Sequence, residues 1–187
     1  MELLYYPHEF LDKQVKPFDF NNPIKDPKEL KEEMLEIMYS KDGVGLSANQ
    51  VGIDAQVFVM GSKHVPDKSA IFINPKVVEA SEETIVDFEG CLSFPGIFIK
   101  VKRPAWIVAE FQDENGETQR GRILEYDARC YLHELDHLLG ITYKDRVSKL
   151  KWDMAVKKSK KQLQKLQKGM QYAWTKWALR KNFWVRN

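Results

Sequence analysis

The sequence predicts an α+β fold: short mixed or antiparallel β-strands packed around a central helix, with a C-terminal amphipathic helix beyond them. Three observations predict it. Apolar residues recur first at helical spacing, then crowd into short runs of branched and aromatic residues, then return to helical spacing twice. The strand-like runs follow one another without helices between them, unlike the βαβ alternation of a parallel sheet. Gly, Pro, Asn and Asp separate the runs as turn residues do.

The first helix starts at Asp26-Pro27-Lys28-Glu29, where Asp26 can cap, Pro27 tolerates the first helical position and Glu29 can reach back. Leu30, Met34, Ile37 and Met38 form its apolar face, and Gly43 offers a stop. Residues 56–60, 70–74, 85–88, 97–101 and 106–111 read as strands. Asp113-Glu114-Asn115-Gly116 is a turn before a further strand over 119–123. The pattern over 125–139 is helical again, and Gly140 can end it. From Trp152 to Trp177 apolar residues fall three or four apart with lysines between them, an amphipathic helix with a break expected near Gly169. Three of the five tryptophans lie in Trp174–Trp184, and most of this stripe is expected to be packed on the body or on another copy of the chain.

A chain of 187 residues suits one domain, or one domain with an appendage. With 43% hydrophobic and 30% charged residues, wholesale disorder and collagen-like structure are excluded. No stretch is apolar enough to span a bilayer, so no membrane partner is expected. The opening Met1–Pro7 lacks the basic and apolar regions of a secretory signal. Only two cysteines are present, Cys91 and Cys130, which excludes a disulfide scaffold and favours a reducing, intracellular address. The net charge of +2 hides a division: residues 1–150 carry −8, and residues 151–187 carry +10 with a single acid, Asp153. A basic tail of this kind suits a phosphate-rich partner such as RNA or a membrane surface, or a solvated helix face.

His133-Glu134-Leu135-Asp136-His137 lies in the second helical segment. Residues i and i+4 share a helix face, so both imidazoles can reach one metal ion. Glu134 beside them can take a proton from the water such an ion activates. Catalytic sites of this kind commonly have three protein ligands and an open fourth position, and the third ligand defines the class. A peptidase-type Glu from a later helix is excluded, because no Glu follows Glu134. A third histidine six residues beyond the second is excluded too, because that residue is Tyr143. His8 and His64 stand in loop-like settings and read as surface residues. Two cysteines remain. Cys130 lies three residues before His133 on nearly the same face, where a small buried side chain is the commoner role. Cys91 lies in Glu89-Gly90-Cys91-Leu92-Ser93-Phe94-Pro95-Gly96, which reads as a shaped turn between two strands.

A third segment, Gly43-Val44-Gly45-Leu46-Ser47-Ala48-Asn49-Gln50, is rich in small residues that let a backbone approach a ligand closely. It lacks the Gly-Lys-Ser/Thr ending of a phosphate loop. Gln50 carries donor and acceptor groups and can face a reacting carbonyl.

These segments, in this order at 43–50, 89–93 and 133–137, resemble the motifs of the peptide deformylase family. The resemblance covers roughly residues 1–148, including Tyr6-Pro7 and Arg103-Pro104. Ser47 stands where Ala is commoner, and Phe98 where many members carry an Arg. The resemblance implies a catalytic domain over 1–148 and leaves 149–187 as a basic, Trp-rich helical extension. It implies removal of the formyl group from the N-terminal formyl-methionine of new polypeptides, with release of formate. It further implies one divalent ion, Fe2+ in the cell with Zn2+, Ni2+ or Co2+ as alternatives, on Cys91, His133 and His137. Glu134 would be the proton carrier, and the Gln50 amide and the Leu92 N–H would be the oxyanion donors. Val44, Gly45, Gly90, Tyr126, Arg129 and Cys130 would line the substrate pocket, Arg129 through its stem. Arg103 and Asp136 would pair behind the metal helix. The expected partners are formyl-methionyl nascent chains and, through the basic tail, the ribosome. The expected address is a bacterial-type cytoplasm, an organelle, or a bacterial host for a virus-encoded chain. Two other readings stand beside this one, a zinc metallopeptidase and a non-catalytic metal-stabilised module that binds RNA or the ribosome. A structural zinc site calls for four protein ligands, and three converge in the motif.

Overall fold

The structure, a computed structural model, describes the backbone over residues 1–184 and side chains through residue 171. Contacts divide the chain into two units, Met1–Ser148 and a second that begins at Lys149. In the first, α1 (Pro27–Ser40) precedes seven strands and α2 (Glu125–Leu138) follows them. The strands are β1 (Gly45–Ser47), β2 (Val57–Met60), β3 (Ala70–Ala80), β4 (Thr84–Cys91), β5 (Phe94–Pro104), β6 (Trp106–Gln112) and β7 (Thr118–Leu124). Five make an antiparallel sheet in the order β1-β2-β3-β6-β7, and β4 and β5 pair as a separate hairpin. This is the α+β architecture expected, with every described strand pair antiparallel.

Both faces of the large sheet are covered, which is why β2 is buried nearly throughout. Val57 and Val59 meet Leu30, Met34 and Met38 of α1, while Phe58 faces Phe72 and Tyr131 with the α2 side of the core. Alternate residues of a strand point to opposite faces, so one short run serves two helices. Phe58 and Phe72 stack with ring centroids 4.8 Å apart, and Tyr131 of α2 meets Phe58 edge-on at 5.0 Å. Asp26 caps α1, accepting from the Lys28 and Glu29 N–H groups.

Helix α2 stops by a Schellman arrangement. Gly140 takes a left-handed φ of 71°, its N–H reaches the His137 carbonyl, and the Ile141 N–H reaches that of Asp136. A side chain at 140 would also meet the Asp12 carbonyl, 2.6 Å from its β-carbon. The small-residue segment 43–50 forms β1 and enters a single 3-10 turn, Ala48–Val51. The strands of the hairpin run further than expected, and the turn between them narrows to Leu92-Ser93.

The second unit is helix α3, Lys149–Trp184, which passes through Gly169 without the expected break. Leu163, Leu166 and Met170 are exposed on it within the single chain. The side chains of Trp174, Trp177 and Trp184 lie outside the described residues. Among the described residues no helix is long and apolar enough to cross a membrane.

Candidate metal centre

The spacing of His133 and His137 on α2 places their rings on one face, with centroids 5.0 Å apart. Cys91 reaches the same point from the end of β4. The β4–β5 register shifts between Glu89 and Cys91, and such an irregularity re-aims the residues after it. One ligand atom from each of Cys91, His133 and His137 lies within 4.8 Å of the others. The Cys91 Sγ is 3.2 Å from His137 Nε2. Cys130, the other cysteine, stands apart from this cluster: its thiol donates to the Val44 carbonyl at 3.7 Å. Burial pushes that thiol well above its ordinary pKa, so it stays protonated.

The imidazole of His133 is oriented from behind. Glu89 Oε2 lies 3.0 Å from His133 Nδ1. Burial alone would raise the Glu89 carboxyl, but hydrogen bonds from His133 and Arg103 prevail and hold it at about 2. An ionised carboxylate only accepts, so Nδ1 carries the proton and Nε2 is left for the ion. Arg103 clamps Glu89 through Nε and Nη2 at 2.9 and 3.0 Å and reaches Asp136 through Nη1 at 2.6 Å. Arg146 adds a second guanidinium on Asp136, with Nε at 2.9 Å. Arg103 and Asp136 therefore meet as a buried pair, within a larger network than the sequence indicated.

Glu134 and Gln50 stand on the far side of the cluster. Glu134 Oε2 accepts from Ser47 Oγ at 2.7 Å, and the same hydroxyl spans the Glu134 carbonyl at 2.9 Å. Burial, opposed by His133 and Ser47, raises the Glu134 carboxyl above the usual carboxylate range. Gly45 is where the chain needs no side chain: a β-carbon there would overlap the Glu134 carboxylate and lie 2.9 Å from Cys130 Sγ. Gln50 is locked by its own segment. Its Oε1 accepts the Ser47 N–H at 2.9 Å, and its Nε2 points at Ser93 Oγ, 3.0 Å away, and at Cys91 Sγ, 3.4 Å away.

A cavity of about 480 Å³ opens onto this cluster. Val44, Gly45, Gly90, Tyr126, Arg129, Cys130 and Leu92 all line it, as do Gln50, Cys91, His133 and Glu134. The Arg129 guanidinium binds the hairpin: Nη2 reaches the Ile85 carbonyl at 2.8 Å, and Nη1 reaches the Val101 carbonyl and Glu89 Oε1, each at 2.9 Å. Sequence reasoning missed the tasks of Glu89, Ser47 and Arg146. Glu89 sits two residues before Cys91 on a strand, a signal that it shares the inward face, but its partner on α2 is 44 residues away. Arg146 and Ser47 carried no such signal.

A thiol and two imidazoles clustered beside a cavity that a buried carboxylate lines suit a metal-dependent hydrolase. The family model described as polypeptide deformylase matches residues 1–153. The chain belongs to the polypeptide deformylase family. It is 44% identical over 123 residues to the peptide deformylase of Finegoldia magna, covering 66% of this chain and 75% of that protein. It is 40% identical over 153 residues to that of Wolbachia pipientis wMel, covering 76% and 84%. Among solved structures, the peptide deformylase of Thermotoga maritima matches with a TM-score of 0.72 at 39% identity, covering 79% of this chain and 97% of that one. That of Legionella pneumophila matches with a TM-score of 0.79 at 31% identity, covering 89% and 96%. The chain is thus an enzyme that removes the N-formyl group from N-formylmethionyl peptides, and the family and the Cys/His/His cluster together support one divalent ion. The peptidase and non-catalytic readings are not favoured.

Proposed function

We propose that Cys91, His133 and His137 hold Fe2+ in the cell, with Zn2+, Ni2+ or Co2+ as substitutes, and that residues 1–148 form the catalytic domain. What carries the reading is the clustering of these three donors, two of which, Cys91 and His133, line one cavity together with Glu134 and Gln50. One sulfur and two nitrogen donors suit these borderline ions. When bound, the ion supplies Lewis acidity and a water acidic enough to react near neutral pH. The protein does the rest. Glu134, held by Ser47, accepts the proton of the attacking water and returns it to the departing amine, a task that its raised pKa suits. The Gln50 amide and the Leu92 N–H donate to the oxygen that gains charge, each worth about 3 kcal/mol in the transition state. Val44, Gly45, Gly90, Tyr126, Arg129 and Cys130 surround the methionine side chain, and Glu89, Arg103 and Asp136 keep His133 and α2 in place.

The test is release of formate from a formyl-Met-Ala peptide by protein loaded with Co2+ or Ni2+, with Glu134→Ala as control. Formate from wild type and almost none from the variant is the expected result. No formate from the loaded wild type would sink the reading.

Helix α3 we assign to the ribosome, where formylated chains emerge, in a bacterial-type cytoplasm, an organelle or a bacterial host cell. Its exposed Lys157, Lys158, Lys160, Lys161, Lys165 and Lys168 support this. Co-sedimentation with ribosomes at low salt should weaken when four of these lysines become Glu, and unchanged co-sedimentation would refute it.

A further inference from the structure

The two oxyanion donors come from separate pieces of backbone. Gln50 sits in the 3-10 turn that follows β1 of the large sheet, and Leu92 sits in the turn of the separate β4–β5 hairpin. Two donors act together only where both meet one oxygen, so the spacing between these pieces matters to the chemistry. The segment before Pro7 spans them. The Leu4 N–H donates to the Gln50 carbonyl at 2.8 Å, and the Tyr6 N–H donates to the Ser93 carbonyl at 2.9 Å. Residues two apart in an extended chain present their N–H groups to one side, about 7 Å from each other, so the segment holds both turns at a set separation. Side chains anchor it at each end. Leu3 packs on the core beside α1. The Tyr6 ring stacks on buried Phe94, with centroids 4.8 Å and planes 19° apart. Phe94 meets Tyr143 edge-on at 5.4 Å, and the Tyr143 ring lies 5.7 Å from that of His133.

We propose that residues 3–6 are a strap that fixes the distance between Gln50 and Leu92, and that Tyr6 is a positioning residue acting through them. The proposal rests on the deformylase reading and its two oxyanion donors, and deepens it. Leu3 and Tyr5 line the cavity and Tyr6 does not, so Tyr6 reaches the reaction only by way of the strap. Without its ring on Phe94, the Ser93 end of the strap is held by one backbone hydrogen bond, and the hairpin turn can drift from the Gln50 turn. Such drift weakens contacts made to the developing oxyanion more than those made to the bound peptide, so it appears in kcat and spares KM. Removing an oxyanion donor costs about 100- to 1,000-fold in kcat, and loosening one should cost about tenfold.

The experiment is a double-mutant cycle between Tyr6 and Gln50 on cobalt-loaded full-length protein, with formyl-Met-Ala-Ser as substrate and cobalt content measured on every sample. Tyr6 is 44% exposed, so its truncation leaves the core in place. Tyr6→Ala should lower kcat about tenfold and leave KM within about twofold. Tyr6→Phe keeps the ring and should keep kcat within about twofold of wild type. Gln50→Ala alone should lose about 100- to 1,000-fold and is assayed at correspondingly higher protein concentration. In that background Tyr6→Ala should change kcat by less than about twofold, because the spacing it sets has lost one of its ends. A kcat for Tyr6→Ala within about twofold of wild type would overturn the strap, and so would an equal loss with and without Gln50, the result of a general loosening of the fold. If Tyr6→Ala takes up no cobalt, Tyr6→Leu replaces it in the cycle with the same outcomes. No formate from wild type would overturn the deformylase reading and the strap with it.

Discussion

Gly45 and Glu134 are packed against each other across two elements: a β-carbon at 45 would overlap the Glu134 carboxylate. A methyl group at 45 must therefore displace the carboxylate, since the alternative is a shift of β1 or of Cys130. Gly45→Ala should keep the metal content of the protein while formate release falls about 100-fold, the cost typical of misplacing a reacting group by an ångström. Metal analysis and turnover on the same sample check this.

Glu89 holds His133 from behind and also faces Arg103 and Arg129, so its charge should be read out in the metal as well as in the fold. Glu89→Gln keeps the side chain's size and removes the ionised acceptor. Affinity for Co2+ should drop about 10- to 100-fold, the range found for groups that orient a metal-bound histidine. Competition with a chelator measures it.

Arg129 joins Glu89 to two hairpin carbonyls and is itself buried. Arg129→Met fills much of the same volume but leaves those acceptors without it. The loss should be about 3 kcal/mol, as for breaking a buried ion pair, and the melting temperature should fall by roughly 10 °C. A thermal melt of the metal-loaded variant decides it.

Glu114 and Lys31 tie the β6–β7 turn to α1, 2.7 Å apart and mostly shielded. The Lys31 hydrogen bond lowers the Glu114 carboxyl, with burial and the neighbouring Asp113 opposing it. A carboxyl whose folded pKa is depressed stabilises above its unfolded pKa and loses that contribution as the pH falls through the folded one. Glu114→Gln should therefore cost about 0.5 kcal/mol at pH 7 and progressively less below about pH 4.5, compared by urea unfolding.

Much of this was legible in the residues. The helix cap at Asp26, the turn at 113–116 and the stop at Gly140 are local events, and local chemistry announces them. The histidine pair declared itself because helical spacing is a geometric fact. The choice between Cys91 and Cys130 was not decided by spacing alone, since both were chemically suitable and only the hairpin register separates them. Arg146 and Ser47 were silent because their partners, Asp136 and Glu134, are 10 and 87 residues away. The unbroken passage of α3 through Gly169 shows a modest helix propensity penalty overridden by its neighbours.

The sulfur and the second imidazole come from segments 46 residues apart, one on a two-stranded hairpin that is not hydrogen-bonded into the main sheet. An ion seated between them would act as a tether that the chain must release before the hairpin can detach. Depletion of the ion would then loosen the hairpin first, and resistance to proteolysis between Thr84 and Pro104 would track the free concentration of the ion.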